Sequence, residues 1–100
     1  MLCSDCPTDV TITTPNSNLS ALFIGDILTC RAKGPPSILY SWYEEAWWWG
    51  TSYYGSVLAL GTEGNISYTC RAETHVDETW CQKSKTINIT ASYGMLPQTR

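Results

Sequence analysis

Few side chains in this sequence are of a type that does chemistry, and their spacing decides most of the question. There is one histidine, His75, and no Gly-x-Ser-x-Gly or His-Glu-x-x-His run accompanies it. His75 therefore reads as an exposed loop residue. Glu44 and Glu45 are adjacent. On a strand, neighbours point to opposite faces, so the two carboxyls cannot work as a facing acid and base. They read as a solvated turn. Cys3-x-x-Cys6, with Cys81 and His75, has the residue types of a zinc tetrad. A single Cys-x-x-Cys is a weak signal, and no glycine-rich phosphate cradle is present. The expectation is a non-enzyme without metal or cofactor.

The aromatic residues offer the chemistry of contact. Trp47, Trp48, Trp49, Tyr53 and Tyr54 fall within eight positions, beside Tyr43. An edge strand has one inward and one outward face, so alternation cannot bury all three tryptophans. Either Trp48 turns in and Trp47 and Trp49 turn out, or the reverse. Trp and Tyr dominate interface hot spots, which makes these residues ligand-binding candidates. The plain alternative is that they cover the sheet edge and each other. Trp80 is a second candidate anchor, or a shield over a nearby disulfide.

These residues must be positioned by strands. Leu28-Thr29-Cys30-Arg31-Ala32, Ile38 to Tyr43 and Ile66 to Cys70 each alternate apolar and polar residues, the period of a half-buried strand. Tyr43 and Glu45, with Arg71 and Glu73, should share the outward face of one sheet. In chain order, strands are expected over 7–14, at Leu22 and Ile24 as an edge, and over 26–33. Further strands are expected over 38–44, at Trp47–Trp49, and over 56–60, 66–74 and 84–91. Val10, Ile12, Leu58, Leu60, Ile87 and Ile89 face in. Gly34-Pro35-Pro36 must interrupt the ladder, because proline has no N–H to donate. Residues 75–82 read as a loop and 92–100 as a flexible tail. No helical period or internal repeat appears.

The 100 residues allow a single domain with its core over about 8–91. Net charge is −3 with lysines and arginines scattered, so no basic patch exists to hold nucleic acid or an anionic membrane. No run approaches the ~18 apolar residues of a membrane span. Met1-Leu2 shows no basic and then apolar leader, and the chain reads as a mature ectodomain. Five cysteines point to an oxidising compartment. Three sequons, at Asn18, Asn65 and Asn88, agree with secretion or surface display.

Cys30, Trp42 and Cys70 together, with Trp42 following Cys30 by 12 positions and Cys70 following it by 40, resemble the Cys…Trp…Cys pattern of the immunoglobulin superfamily. Gly25 to Cys30, Tyr40-Ser41-Trp42-Tyr43 and Tyr68-Thr69-Cys70 resemble its strand B, C and F signatures, and the short cysteine spacing is most like a C2- or I-type domain. The usual Asp-x-Gly-x-Tyr-x-Cys is altered, with Gly64 and Ile66 at the Asp and Gly positions. The resemblance covers about Val10 to Thr90. It implies an all-β, antiparallel two-sheet sandwich with a Cys30–Cys70 disulfide and Trp42 packed against it. It also implies a structural Tyr68 whose hydroxyl returns to backbone. In that topology Cys3 and Cys6 precede the first strand at the pole that carries Cys81. Cys81 should pair with one of them, preferably Cys6, leaving Cys3 over.

Function follows from resemblance, since this fold hosts many roles. The favoured class is an extracellular binding module of an adhesion or immune receptor protein, recognising a protein ligand or cell-surface receptor. A glycan-binding module is the alternative. It would stack sugars on exposed tryptophans, with Glu73, Asp77 or Glu78 accepting hydroxyl hydrogen bonds. A spacer in a multidomain ectodomain is the third.

Overall fold

The computed structural model describes residues 6–76 and 78–94. Period-2 alternation is realised as strands throughout, and no helix occurs among the described residues. β1 (Thr8–Thr13), β3 (Ile27–Lys33) and β6 (Val57–Ala59) form a three-stranded sheet in the order β1-β3-β6. β2 (Leu22–Phe23), β4 (Leu39–Ala46), β5 (Trp49–Tyr54), β7 (Gly64–Val76) and β8 (Thr79–Ser92) form a five-stranded sheet in the order β2-β8-β7-β4-β5. One core lies between them. Leu28, Cys30 and Leu58 come from the smaller sheet; Trp42, Ile66, Tyr68, Cys70, Ile89 and Ala91 come from the larger, and Leu60 follows β6 inward. Each of the leucine and isoleucine side chains contributes roughly 1.5–3 kcal/mol by leaving water.

The core is pinned at its centre. Cys30 is bonded to Cys70 across the two sheets, with Cα atoms 6.4 Å apart. Trp42 stands directly opposite Cys70 in the β4–β7 ladder and is buried with it. Tyr40, two residues back on the same face, accepts the Ala32 N–H on its hydroxyl at 3.1 Å and so ties β4 to the end of β3.

Three expectations are corrected here. The pairing is not antiparallel throughout: β2 runs parallel to β8 over Leu22–Ala91 and Phe23–Ser92. A strand that arrives from a polar turn need only find a free edge. This one is fixed by Thr90 N–H to Leu19 O and Ile24 N–H to Ser92 O, both 2.9 Å. Residues 75–82 are not a loop. β7 and β8 run on as a hairpin through Thr74–Cys81, His75–Trp80 and Val76–Thr79, past the last β4 partner, Leu39. Val76 and Thr79 are its last pair, and Glu78 takes φ 64°, the left-handed conformation that tight hairpin turns require. Lastly, Trp47 and Trp48 are not strand. Ala46 pairs with Trp49, so the two tryptophans form the turn of the β4–β5 hairpin.

A second disulfide joins Cys6 to Cys81, with Cα atoms 5.4 Å apart. It fastens the segment before β1 onto the projecting hairpin. Pro7 is fully buried beside it. Gly34 ends β3 at φ 150°, where a Cβ would come within 2.9 Å of the Ile38 side chain and 3.4 Å of the Pro7 backbone. Cys3, Asp77 and residues 95–100 of the expected tail lie outside the described residues.

Candidate functional site

The outward face of the five-stranded sheet is set by parity: residues alternating with Trp42, Tyr68, Cys70 and Ile89 must point away from the core. Register orders them in rows. His75 and Trp80 stand at the hairpin end, followed by Leu39, Glu73 and Gln82. Next come Tyr54, Ser41, Arg71 and Ser84, then Ser52, Tyr43, Thr69 and Thr86. Gly50, Glu45, Ser67 and Asn88 close the series beside the Trp47–Trp48 turn. Tyr43, Glu45, Arg71 and Glu73 do share this face. Arg71 Nε pairs with Glu73 Oε1 at 3.3 Å, and Thr69 and Thr86 hydroxyls meet at 2.8 Å. A concavity of ≈ 640 Å³ opens here, lined by Tyr43, Ser52, Thr69, Arg71 and Lys83 among others.

Two aromatic clusters mark opposite ends of this sheet. At one end Trp47 is 90% exposed and Trp48 67%, their rings 5.1 Å apart and nearly perpendicular. Neither takes a positive φ, so the turn is not the primed type that Asn-Gly makes. Turn chemistry gives no reason for two indoles at these positions. Trp49 begins β5 and packs against the core. Alternation therefore failed for this triplet: one tryptophan is in and both turn residues are out. At the other end the His75 and Trp80 rings stack, 4.8 Å apart at 30°. Tyr54 is exposed on the outward face. Tyr43 lies over Gly50, where any Cβ would collide with its ring and hydroxyl. An aromatic side chain thus covers the bare backbone of the neighbouring strand.

One group was missed. Glu44 is not in a solvated turn; it lies within β4 and is 3% exposed. Its Oε1 accepts the Tyr53 hydroxyl and its Oε2 the Tyr68 hydroxyl, each at 2.8 Å. Tyr68 stands directly across the ladder from Glu44, and Tyr53 sits two rungs along on β5, opposite Trp42. The Tyr68 hydroxyl thus goes to a carboxylate and not to backbone, and Tyr53 faces the core side and not the outward face. Burial, then the hydrogen bond and charge of Glu44, then Tyr53, push the Tyr68 hydroxyl well above its ordinary value. The hydrogen bond to Glu44, with burial and charge, raises Tyr53 as well. The sequence held the signal: Glu44 is two residues from Trp42, on the same face of the same strand.

This arrangement gives each oxygen of the Glu44 carboxylate a hydroxyl donor. The residue types that could have made a zinc tetrad are otherwise engaged, because Cys6 and Cys81 have spent their thiols on a disulfide. Among the described residues no group of His, Cys, Asp or Glu is placed to hold a metal, and no helix is long and apolar enough to cross a membrane. The Asn18, Asn65 and Asn88 side chains are exposed. No family model, no curated protein and no solved structure matches this chain.

Proposed function

We propose that this chain is a non-enzymatic, extracellular binding module with an immunoglobulin-like fold, part of a cell-surface or secreted protein. It recognises a protein ligand through the β4–β5 side of the outward face and the Trp47–Trp48 turn. The strand order supports the fold. β1-β3-β6 corresponds to A-B-E, and β8-β7-β4-β5 to G-F-C-C′, with a disulfide between B and F and a buried tryptophan on C. Two disulfides in a small domain support an oxidising, extracellular setting.

The observation that carries the reading is the exposure of Trp47 and Trp48 at a turn that does not require them. Exposed indoles cost solubility, and they are the side chains most enriched at binding hot spots. Tyr43 and Tyr54 extend the aromatic surface along the same hairpin. The experiment is a screen of the multimerised domain against cell-surface proteins, with a glycan array run beside it. A protein hit whose affinity falls by about 30-fold or more in Trp47→Ala/Trp48→Ala, roughly 2 kcal/mol, supports the reading. A hit confined to the glycan array would replace it with the sugar-binding alternative. An unchanged affinity in the double variant would remove the turn from the site.

A further inference from the structure

The three sequons are far apart in sequence and converge in space. Leu19, next to Asn18, accepts the Thr90 N–H at 2.9 Å. Thr90 stands opposite Asn65 in the β7–β8 ladder, and Ser67 stands opposite Asn88. Asn18, Asn65 and Asn88 therefore gather at one corner of the five-stranded sheet, where β2 meets the end of β8. All three asparagines are exposed.

Two of the three amide groups are held by their oxygen, which turns the nitrogen outward. Asn18 Oδ1 accepts the Ser20 N–H at 3.0 Å, and Asn88 Oδ1 accepts the Ser67 hydroxyl at 2.6 Å. Both bonds occupy the oxygen. Nδ2, the atom that takes a sugar, keeps no partner within the described residues at either position. Ser67 is itself the hydroxyl residue of the Asn65 sequon, so one side chain links two of the three sites.

We infer that Asn18, Asn65 and Asn88 carry N-linked oligosaccharides which together sheath the β2–β8 corner and leave the β4–β5 margin bare. The inference rests on the extracellular reading above. In each attachment Nδ2 displaces the diphosphate of a lipid-linked oligosaccharide. An Nδ2–C1 bond forms, the C1–O bond to phosphate breaks with its electron pair on the departing lipid diphosphate, and one amide proton passes to the transferase's base. The sheath has a physical use. β2 covers only two rungs of β8, so the rest of that edge would invite strand addition. Lys83 and Lys85, charged and exposed at core-side parity, guard its upper part, and the glycans guard the lower. The opposite edge, β5, carries neither a charge nor a sequon in Trp49–Tyr54.

The test is expression of the chain in a eukaryotic secretory host. Secreted protein is treated with peptide-N-glycosidase in ¹⁸O water and mapped. The expected result is ¹⁸O-labelled aspartate at all three positions and an intact mass carrying three glycans on one molecule. Deglycosylation should also raise hydroxyl-radical labelling of Phe23, at the sheathed corner, and leave Tyr54 unchanged. Secretion with both disulfides formed but with Asn65 or Asn88 unmodified would overturn the sheath alone. So would equal labelling of Phe23 before and after deglycosylation. Retention of the chain with reduced cysteines would overturn the extracellular reading and the sheath with it.

Discussion

The two disulfides close loops of 40 and 75 residues, and loop length alone would rank the longer one as the more stabilising. Chain entropy assigns about 4 kcal/mol to the shorter and about 4.5 kcal/mol to the longer. Their surroundings reverse that order. Cys30 and Cys70 are wholly buried between two sheets, against Trp42. Cys6 and Cys81 are half-buried and sit where the β7–β8 hairpin has passed beyond β4. Once either bond is closed, the other completes a ring of similar size, so the entropic terms nearly cancel. What remains is what each bond holds in the folded state. One fills the core; the other fastens a leader to a projecting arm.

The largest effect is therefore expected for Cys30→Ala/Cys70→Ala. It loses the ~4 kcal/mol of chain entropy and adds a cavity at the most enclosed point of the molecule. That consumes most of a stability in the usual ~5–15 kcal/mol range. Urea denaturation of the two double variants under oxidising conditions checks the ranking. If Cys6→Ala/Cys81→Ala proves the more damaging, the arm is not peripheral and the comparison breaks.

Cys6→Ala/Cys81→Ala comes next, at about 3 kcal/mol, because the freed leader and arm regain native-state entropy and offset part of the loss. Its signature is local. Amide exchange should accelerate over Thr74–Cys81, while Ile66 to Cys70, held by β4 on one side and β8 on the other, stays protected. Uniform acceleration would show that the staple stabilises the whole domain.

How these regions were legible differs for physical reasons. Cys30, Trp42, Cys70, Leu58 and Ile89 each occupy one phase of an alternating strand, and a period of two is readable from residue type. The arm was not readable, because His75, Trp80 and Gln82 carry no apolar face. Their strand order comes from ladder pairing and the Cys6–Cys81 bond, neither of which shows in hydropathy. The Trp47–Trp48 turn escaped for the opposite reason: its residues look like strand and carry no turn signal. Glu44 was misread because adjacent carboxylates suggest water. Its partners, Tyr53 and Tyr68, lie nine and 24 residues away in sequence.

That buried carboxylate gives the third prediction. Tyr68→Phe removes a hydrogen bond to a charged, enclosed group and is expected to cost about 2 kcal/mol, while Tyr53→Phe, on the more open edge strand, costs less. The pH dependence has a definite sign. Both tyrosine hydroxyls are raised in the folded state, so that state holds their protons where the unfolded chain releases them. Their contribution is intact below the unfolded tyrosine value near ~10 and is lost as pH rises beyond it. Tyrosinate absorbance and denaturation should show stability level up to that point and falling above it, less steeply in Tyr68→Phe. An unchanged slope in the variant would mean that Glu44 does not hold the Tyr68 proton.

The smallest effect is expected at the end of the arm. His75 and Trp80 stack on one rung, next to the rung that closes the turn, with both rings exposed. An aromatic pair of this kind adds about 0.5–1.5 kcal/mol beyond buried area, and exposure takes it toward the lower figure. Trp80→Ala should therefore cost about 0.5 kcal/mol and move only the exchange of the hairpin tip. Its value lies in the contrast with Trp47→Ala/Trp48→Ala at the far end of the same sheet. Both variants should fold, since neither cluster belongs to the core. A partner that discriminates between them identifies which end of the outward face it meets. Loss of binding in Trp47→Ala/Trp48→Ala with Trp80→Ala unaffected places it on the β4–β5 hairpin, away from the arm. The reverse result would make the stapled arm the recognition element and give the Cys6–Cys81 bond its reason: a binding rung so far from the core needs a covalent tie to hold it in place.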